Sequence, residues 1–407
     1  MYIEKLTIKN FRCLPQGKVN FNAPGSSRQT GVEPPRLPNV NLLIGNNGAG
    51  KTSIFQALTL AALGPYLEKG SSGFRTPPAI RYDEGSAEAT ASLLLSPTDT
   101  SADLARVSEG DATSAHRASS VIKREGTTQS LEARGKASGW KTNLFNEKHP
   151  SCFLVAYGAN RRSERPEAYN ERLRGLRYQR IASLFEPHVG LIPLSLAYLQ
   201  CQEQARWSEV VPIVNQLLMP PVRLTEQQKD GDPLFDYDGI LLPVSDLSDG
   251  YRLFVSWLID CLAHLARTLP PEVKLTDAEG VAIVDEVDLF LSPEWQRTVI
   301  ESLSNTFPRI QWFFSTHSAL VAGSLDNENI YILERSNPYT SRIRRPTDEF
   351  EGKSVDEILV ELFDVQQPRS PQLQRQLGQL AERAMQGDLE ASLLYLRRLN
   401  EGSGQLR

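Results

Sequence analysis

The octapeptide Gly45-Asn46-Asn47-Gly48-Ala49-Gly50-Lys51-Thr52 fits G-x-x-x-x-G-K-[ST], the phosphate-binding loop. It constrains the fold more than any other stretch of the chain. Such a loop works between a buried strand and the N-terminus of a helix. There its glycines let successive N–H groups point at phosphate oxygens and the helix dipole adds positive potential. Residues 40–44, apolar except for Asn41, predict the strand, and residues 53–63 predict a helix that stops at Gly64-Pro65. In this arrangement Lys51 neutralises the β- and γ-phosphates and Thr52 ligates Mg²⁺. The loop residues Asn46, Asn47, Gly48, Ala49 and Gly50, together with Ser53 just after it, are candidate nucleotide contacts.

Three further segments are read in the same terms. Val281-Ala282-Ile283-Val284 is followed by Asp285-Glu286, a buried strand delivering two carboxylates at its C-terminal end. Asp285 is then the candidate Mg²⁺ ligand through water, and Glu286 the candidate base that polarises the attacking water. Phe314-Ser315-Thr316-His317 ends a second apolar run in a histidine, beyond a strand end where open α/β sheets collect ligands. His317 is therefore a candidate γ-phosphate sensor. Leu247-Ser248-Asp249-Gly250-Tyr251 opens a long helix with a Ser and Gly turn, a second anion site without a lysine. Two half-sites for one triphosphate in a single chain imply that two chains share each nucleotide.

The rest of the chain is ordinary in composition. Its 407 residues are 40% hydrophobic and 23% charged, with a formal net charge of -5, so the overall charge does not by itself point to nucleic acid. Cys13, Cys152, Cys201 and Cys261 show no paired spacing, which argues against a zinc knuckle or a disulfide framework and suits reduced thiols. No apolar run reaches spanning length, and a cytoplasmic, membrane-free protein is expected. Residues 2–11 alternate as a strand, continued by 19–21, and 87–95 repeats the pattern. Residues 118–124 and 129–133 flank a hairpin turn, and residues 96–114 are polar. Residues 160–180 hold seven arginines against three glutamates, read either as a solvated helical surface or as a nucleic-acid or phosphate contact. Asp238-Gly239 marks a second hairpin. Arg252, Ser256, Asp260 and His264 recur every fourth residue as the polar, solvated stripe of a mostly buried helix, which accounts for His264 without a metal. Residues 281–284, 310–314 and 330–333 suit central parallel strands. Leu373, Leu377, Leu380 and Ala384 mark one apolar helical face beyond a linker at 366–371, and Leu389, Leu393 and Leu396 a second.

The order phosphate loop, Leu247-Ser248-Asp249-Gly250-Tyr251, acidic strand and histidine resembles the ABC-type ATPases, in particular their RecF/SMC/OLD-like branch. Asn10-Phe11-Arg12 after the first strand is similar to that branch too, and the resemblance implies that Arg12 approaches the nucleotide, that Asp288 lies in the D-loop, and that Ser248 and Gly250 cap the ATP of an opposite subunit. The signature departs from Leu-Ser-Gly-Gly-Gln at its third and fifth positions. No glutamine of the Q-loop kind stands in Tyr157-Gly158-Ala159-Asn160-Arg161. About 195 residues separate Thr52 from Ser248 without heptads, so long coiled-coil arms are not expected. Residues after Ser318 lack a second acidic cluster of the TOPRIM kind. With the segment 354–365 before a helical tail, the plan looks like the ATPase subunits of Septu- or PARIS-type anti-phage systems, whose nuclease is a separate polypeptide.

The expected fold is α/β, an ABC-ATPase-like P-loop NTPase with an antiparallel β subdomain, an inserted helical segment and a C-terminal helical tail. The divisions are 1–158, 159–234, 235–345 and 346–407. The resemblance implies ATP and Mg²⁺ as cofactors, hydrolysis to ADP and phosphate, a second copy as partner across an ATP sandwich, a separate effector nuclease, and possible nucleic-acid contact through residues 161–180. Two other readings are an ATP-bound scaffold with negligible turnover and the ATP-binding subunit of a transporter.

Overall fold

The computed structural model describes residues 1–25, 35–68, 73–95, 116–125, 127–134, 144–147, 149–163, 175–337, 339–346, 357–358, 371–385, 388 and 390–395. The chain divides into two compact units, residues 1–349 and 350–407.

In the first unit, β1 (Tyr2–Phe11), β2 (Leu14–Asn20), β3 (Val40–Gly45) and α1 (Lys51–Glu68) come first. They are followed by β4 (Ser86–Leu94), β5 (His116–Glu125), β6 (Thr128–Arg134) and β7 (Leu154–Tyr157). Next are α2 (Leu194–Glu203), α3 (Trp207–Leu217), β8 (Val222–Lys229), β9 (Asp232–Tyr237), β10 (Ile240–Pro243) and α4 (Asp249–Thr268). The unit closes with β11 (Gly280–Val284), α5 (Pro293–Thr306), β12 (Ile310–Thr316), β13 (Ile330–Asn337) and β14 (Thr340–Arg344).

Two main sheets result. The order β2-β1-β4-β5-β6 is antiparallel throughout. The order β14-β13-β3-β12-β11-β7 has a parallel centre, with only β14 antiparallel. Every residue of β3, β7, β11 and β12 is buried, as central strands covered on both faces require, and the polar Asn41 and Gln311 among them are hydrogen-bonded. This is the expected P-loop ATPase architecture with its antiparallel subdomain. Its geometric consequence is that β3, β11 and β12 run parallel in neighbouring positions and deliver the phosphate loop, the acidic pair and the histidine to one edge.

Several local expectations change. Residues 19–21 do not prolong the first strand. The chain reverses after Phe11, and β2 pairs back on β1 from Phe11↔Leu14 to Lys5↔Asn20. Arg12 takes a φ of 49° in that bend. The helix after the phosphate loop does not stop at Gly64-Pro65 but runs to Glu68. An interior proline costs about 3 kcal/mol, yet Tyr66 and Leu67 beyond it are buried, and burial of two such side chains at ~1.5–3 kcal/mol each offsets it. Gly64 is a packing glycine rather than a stop. A Cβ there would lie 1.9 Å from Ser120 Oγ, and that hydroxyl donates to Leu60 O at 2.6 Å.

Of the polar stripe of α4, only Arg252 is exposed. Ser256, Asp260 and His264 are buried. Asp260 accepts from Tyr157 Oη through Oδ2 at 2.8 Å and from Ile192 N through Oδ1 at 2.9 Å, and His264 Nε2 lies 3.5 Å from the same Oδ2. Burial pushes the Asp260 carboxyl up to about 6, against the bonds from Ile192 and Tyr157 and the charge of Arg180. A folded pKa above the unfolded value of ~3.9 means that the native state holds more protons from about pH 4 to 6. Asp260 therefore contributes fully below that window and loses its contribution as pH rises through it. Relative to Asp260→Asn, the wild-type chain is expected to lose about 2–3 kcal/mol of unfolding free energy between pH 4 and pH 7. Denaturant titrations of both proteins read this out, and a pH-independent difference refutes it.

The arginine-rich stretch also differs from expectation. Arg161, Arg177 and Arg180 are buried, so they neither form a solvated surface nor face nucleic acid. Arg177 donates to the carbonyls of Ser151, Cys152, Asn146 and His149. Arg180 bonds Thr268 Oγ1 at 2.8 Å and stacks 5.0 Å over the Phe153 ring. Residues 164–174 lie outside the described residues, as do 96–115 and most of 354–370. The Asp238-Gly239 hairpin is as expected, with φ of 51° and 87°, joining β9 to β10.

In the second unit, α6 spans Pro371–Met385, with Leu377 buried. Leu393 of the second expected apolar face is 68% exposed, and Ala391 is the buried residue instead. Leu389 and Leu396 lie outside the described residues.

Candidate functional site

The phosphate loop leaves β3 at Gly45 and enters α1 at Lys51. Gly48 and Gly50 hold φ of 75° and 104°, conformations that favour glycine. A Cβ on Gly50 would lie 2.5 Å from Cys13 Sγ, so the bend after β1 closes directly onto the loop. Lys51 turns back across it. Its Nζ donates to Gly45 O at 2.7 Å and lies 2.8 Å from His317 Nε2. Burial lowers the ammonium to about 8, against the attraction of Asp285, Glu286 and Asp288. His317 is lowered too, first by burial and then by Lys51. Two cations do not share a contact of that length, so the imidazole is neutral and its Nε2 accepts from the ammonium.

The acidic pair is fastened at the ends of β11 and β12. Asp285 Oδ2 accepts from Thr52 Oγ1 at 2.5 Å, and Asp285 Oδ1 accepts from Ser315 Oγ. The same Ser315 oxygen accepts from Glu286 N at 2.8 Å. Thr316 Oγ1 donates to Asp288 Oδ1 at 2.6 Å. Glu286 turns out of the sheet at a φ of 50°. Its carboxyl is raised by burial and by Asp285 and Asp288, with Lys51 and Arg161 pulling the other way. Arg12 donates through Nε to Pro78 O at 3.0 Å and reaches Ser53 Oγ at 3.5 Å.

These groups line one cleft of about 330 Å³, formed by Arg12, Asn47, Gly48, Gly50, Lys51 and Thr52 facing Asp285, Glu286 and His317. Cys13 and Ser53 complete its wall. Ser248 and Gly250 line no part of it. Ser248 instead precedes α4 without using its side chain as a cap, and a Cβ on Gly250 would lie 2.3 Å from Phe290 O. Tyr251 is held by its hydroxyl on Met219 O and Pro220 O, each at 3.1 Å.

A hydroxyl and a carboxylate in direct contact, beside a lysine and a glycine-rich loop at a helix N-terminus, suit Mg²⁺ with a triphosphate. That ion takes few protein ligands and completes its shell from phosphate oxygens and water. Among the described residues no cluster of three His, Cys, Asp or Glu forms a protein-only metal cage. Sequence reasoning missed Cys13, Ser315, Thr316 and Arg161. The first three lie beside or within the quoted motifs and could have been sought there, whereas nothing local marks Arg161.

Two family models match the chain and bracket this cleft. An "AAA domain" family covers residues 5–150. A family described as "AAA domain, putative AbiEii toxin, Type IV TA system" covers residues 225–322. Septu protein PtuA of Bacillus mycoides (strain KBAB4) is 24% identical over 375 residues, 89% of this chain and 44% of the relative. The chain has a P-loop ATPase fold and resembles Septu PtuA. "Retron Vc95 probable ATPase" of Vibrio cholerae serotype O1 biovar El Tor is 32% identical over 122 residues, 30% of this chain and 24% of the relative. The chain thus spans less than half the length of these two relatives. Among solved structures, the SMC head bound to the C-winged helix domain of ScpA covers 85% of this chain and 98% of its own, at 14% identity and a TM-score of 0.49. No helix among the described residues is long and apolar enough to cross a membrane.

Proposed function

We propose that the protein binds and hydrolyses ATP and that two copies close around the nucleotide, as part of an anti-phage system. The observation that carries this reading is the convergence of Lys51, Thr52, Asp285, Glu286 and His317 on a single cleft. Lys51 and the backbone of the loop from Asn47 would hold phosphate oxygens. Thr52 and Asp285 would hold Mg²⁺, whose chemistry is charge neutralisation at the β- and γ-oxygens. Glu286 orients a water and takes its proton, helped by a carboxyl already raised towards neutral pH. His317, neutral at Nε2, is placed to exchange its contact with Lys51 for one with the terminal phosphate. The likeness to Septu PtuA and to a retron ATPase supports a defence role, in which ATP state would control a separate effector, with a nuclease as the expected kind. Such control requires an affinity for ATP that differs between open and closed forms.

Because Ser248 stands outside the cleft of its own chain, the reading requires it to act on a second copy. Ser248→Arg and Lys51→Ala should each be inactive alone. In a two-fold sandwich, each mixed dimer retains one intact site, so an equimolar mixture is expected to recover about a quarter of wild-type turnover. Steady-state phosphate release from the mixture checks this, and a mixture as silent as its components removes the shared site.

A further inference from the structure

We infer that Arg161 is the residue that holds the Asp285–Glu286 turn in its working shape. The inference rests on the proposed ATPase reading for its kinetic consequence, but its structural basis is independent of it. Arg161 follows β7, the strand beside β11, where Val284 pairs with Tyr157. Its side chain returns under the sheet edge and is 1% exposed. Nη1 donates to Asp285 O and to Gly158 O, the latter at 3.2 Å, and Nη2 donates to Glu286 O at 2.8 Å. One planar fork therefore grips the consecutive carbonyls of the two acidic residues.

The backbone needs such a grip. Asp285 still belongs to the sheet, with its N–H on Tyr157 O at 2.9 Å. At Glu286 the chain enters the left-handed region, which a non-glycine residue adopts only when its surroundings impose it. Ser315 restrains the N–H side of the turn through Glu286 N and Val287 N, and Arg161 restrains the carbonyl side. Without the second restraint, the peptides after Asp285 and Glu286 are held from their N–H side alone, and the Glu286 carboxylate swings as their carbonyls tilt. Gly158, whose carbonyl accepts the third of these bonds, is itself packed tightly on a neighbouring segment, since a Cβ there would lie 2.3 Å from Ser183 O. The guanidinium also places a fixed positive charge beneath Asp285, Glu286 and Asp288, all of which act on it electrostatically. Its hydrogen bonds reach no residue of the phosphate loop, so Arg161 is a positioning residue for hydrolysis and not a nucleotide contact. Lysine keeps the charge but loses the fork, and methionine loses both.

The test compares wild type, Arg161→Lys and Arg161→Met in steady-state ATP hydrolysis, in ATP affinity by calorimetry, and in a crystal structure of each variant. Arg161→Met should lose about 10- to 100-fold in kcat, the scale of a displaced catalytic group, with ATP affinity within about threefold of wild type. Arg161→Lys should recover several-fold of that loss, and Glu286 in the methionine variant should leave its positive φ. A folded Arg161→Met with wild-type kcat overturns the inference. So does a parallel loss of kcat and affinity that lysine fails to restore, or a methionine variant whose Glu286 stays near 50°. Should Arg161→Met not fold, the split between kcat and affinity in Arg161→Lys decides. A wild-type chain with no ATP turnover would remove the proposed function, and Arg161 would then be judged on the Glu286 backbone alone.

Discussion

Glu286→Gln is expected to lower steady-state ATP turnover by about 10²–10⁴-fold, the range of a general base, while Mg·ATP still binds. The substitution is nearly isosteric, and the backbone bonds that fix residue 286, from Glu286 N to Ser315 Oγ and from Glu286 O to Arg161, do not involve the carboxyl. The turn should therefore keep its shape. What disappears is a proton acceptor whose basicity burial and the neighbours Asp285 and Asp288 have raised. Removing one of three adjacent carboxylates also relieves repulsion towards a triphosphate, so the variant should bind ATP as tightly as wild type or more so. Phosphate release and calorimetry on the same preparation separate the two effects. Undiminished turnover would take the role from Glu286.

Lys51→Ala should have the converse signature, with affinity lost first. The ammonium supplies charge-assisted hydrogen bonds to phosphate, and such bonds are worth about 1.5–3 kcal/mol each, which corresponds to a roughly 10- to 150-fold weaker Kd for Mg·ATP. Folding should not suffer. Burial is the largest influence on Lys51 and acts against its charge, so truncation removes a cation that the nucleotide-free fold holds at a cost. Thermal melting without ATP is expected to be unchanged or raised, and the shift that ATP produces in wild type should vanish. A variant that binds ATP normally, or one that is simply unfolded, would contradict this account.

The parts of the site legible in the sequence share one property. Gly45 to Thr52 and Val281 to Glu286 are consecutive residues whose types encode their own backbone shape, the first through glycines with positive φ and the second through an apolar run that ends in acids. The parallel strands followed from the same logic, since residues 281–284, 310–314 and 330–333 are apolar on both faces. Illegible features depend on partners far away in sequence. Arg161 and Arg180 look like surface charge until the carbonyls of Asp285 and Glu286, and the hydroxyl of Thr268, close over them. The α4 stripe looks solvated because Tyr157 and Ile192, 103 and 68 residues upstream, supply the donors that allow Asp260 to be buried. Pro65 looks like a terminator because the sheet that keeps α1 helical beyond it is built from residues 86–134.

The position of β3 between β12 and β13 has a consequence for synthesis. A ribosome delivers the strand that leads into the phosphate loop more than 260 residues before either of its neighbours. Until then the meander of β1, β2 and β4 can pair locally, while β3 waits with two bare hydrogen-bonding edges. Over that interval the strand carries the exposed-edge hazard that non-local parallel pairing brings with it.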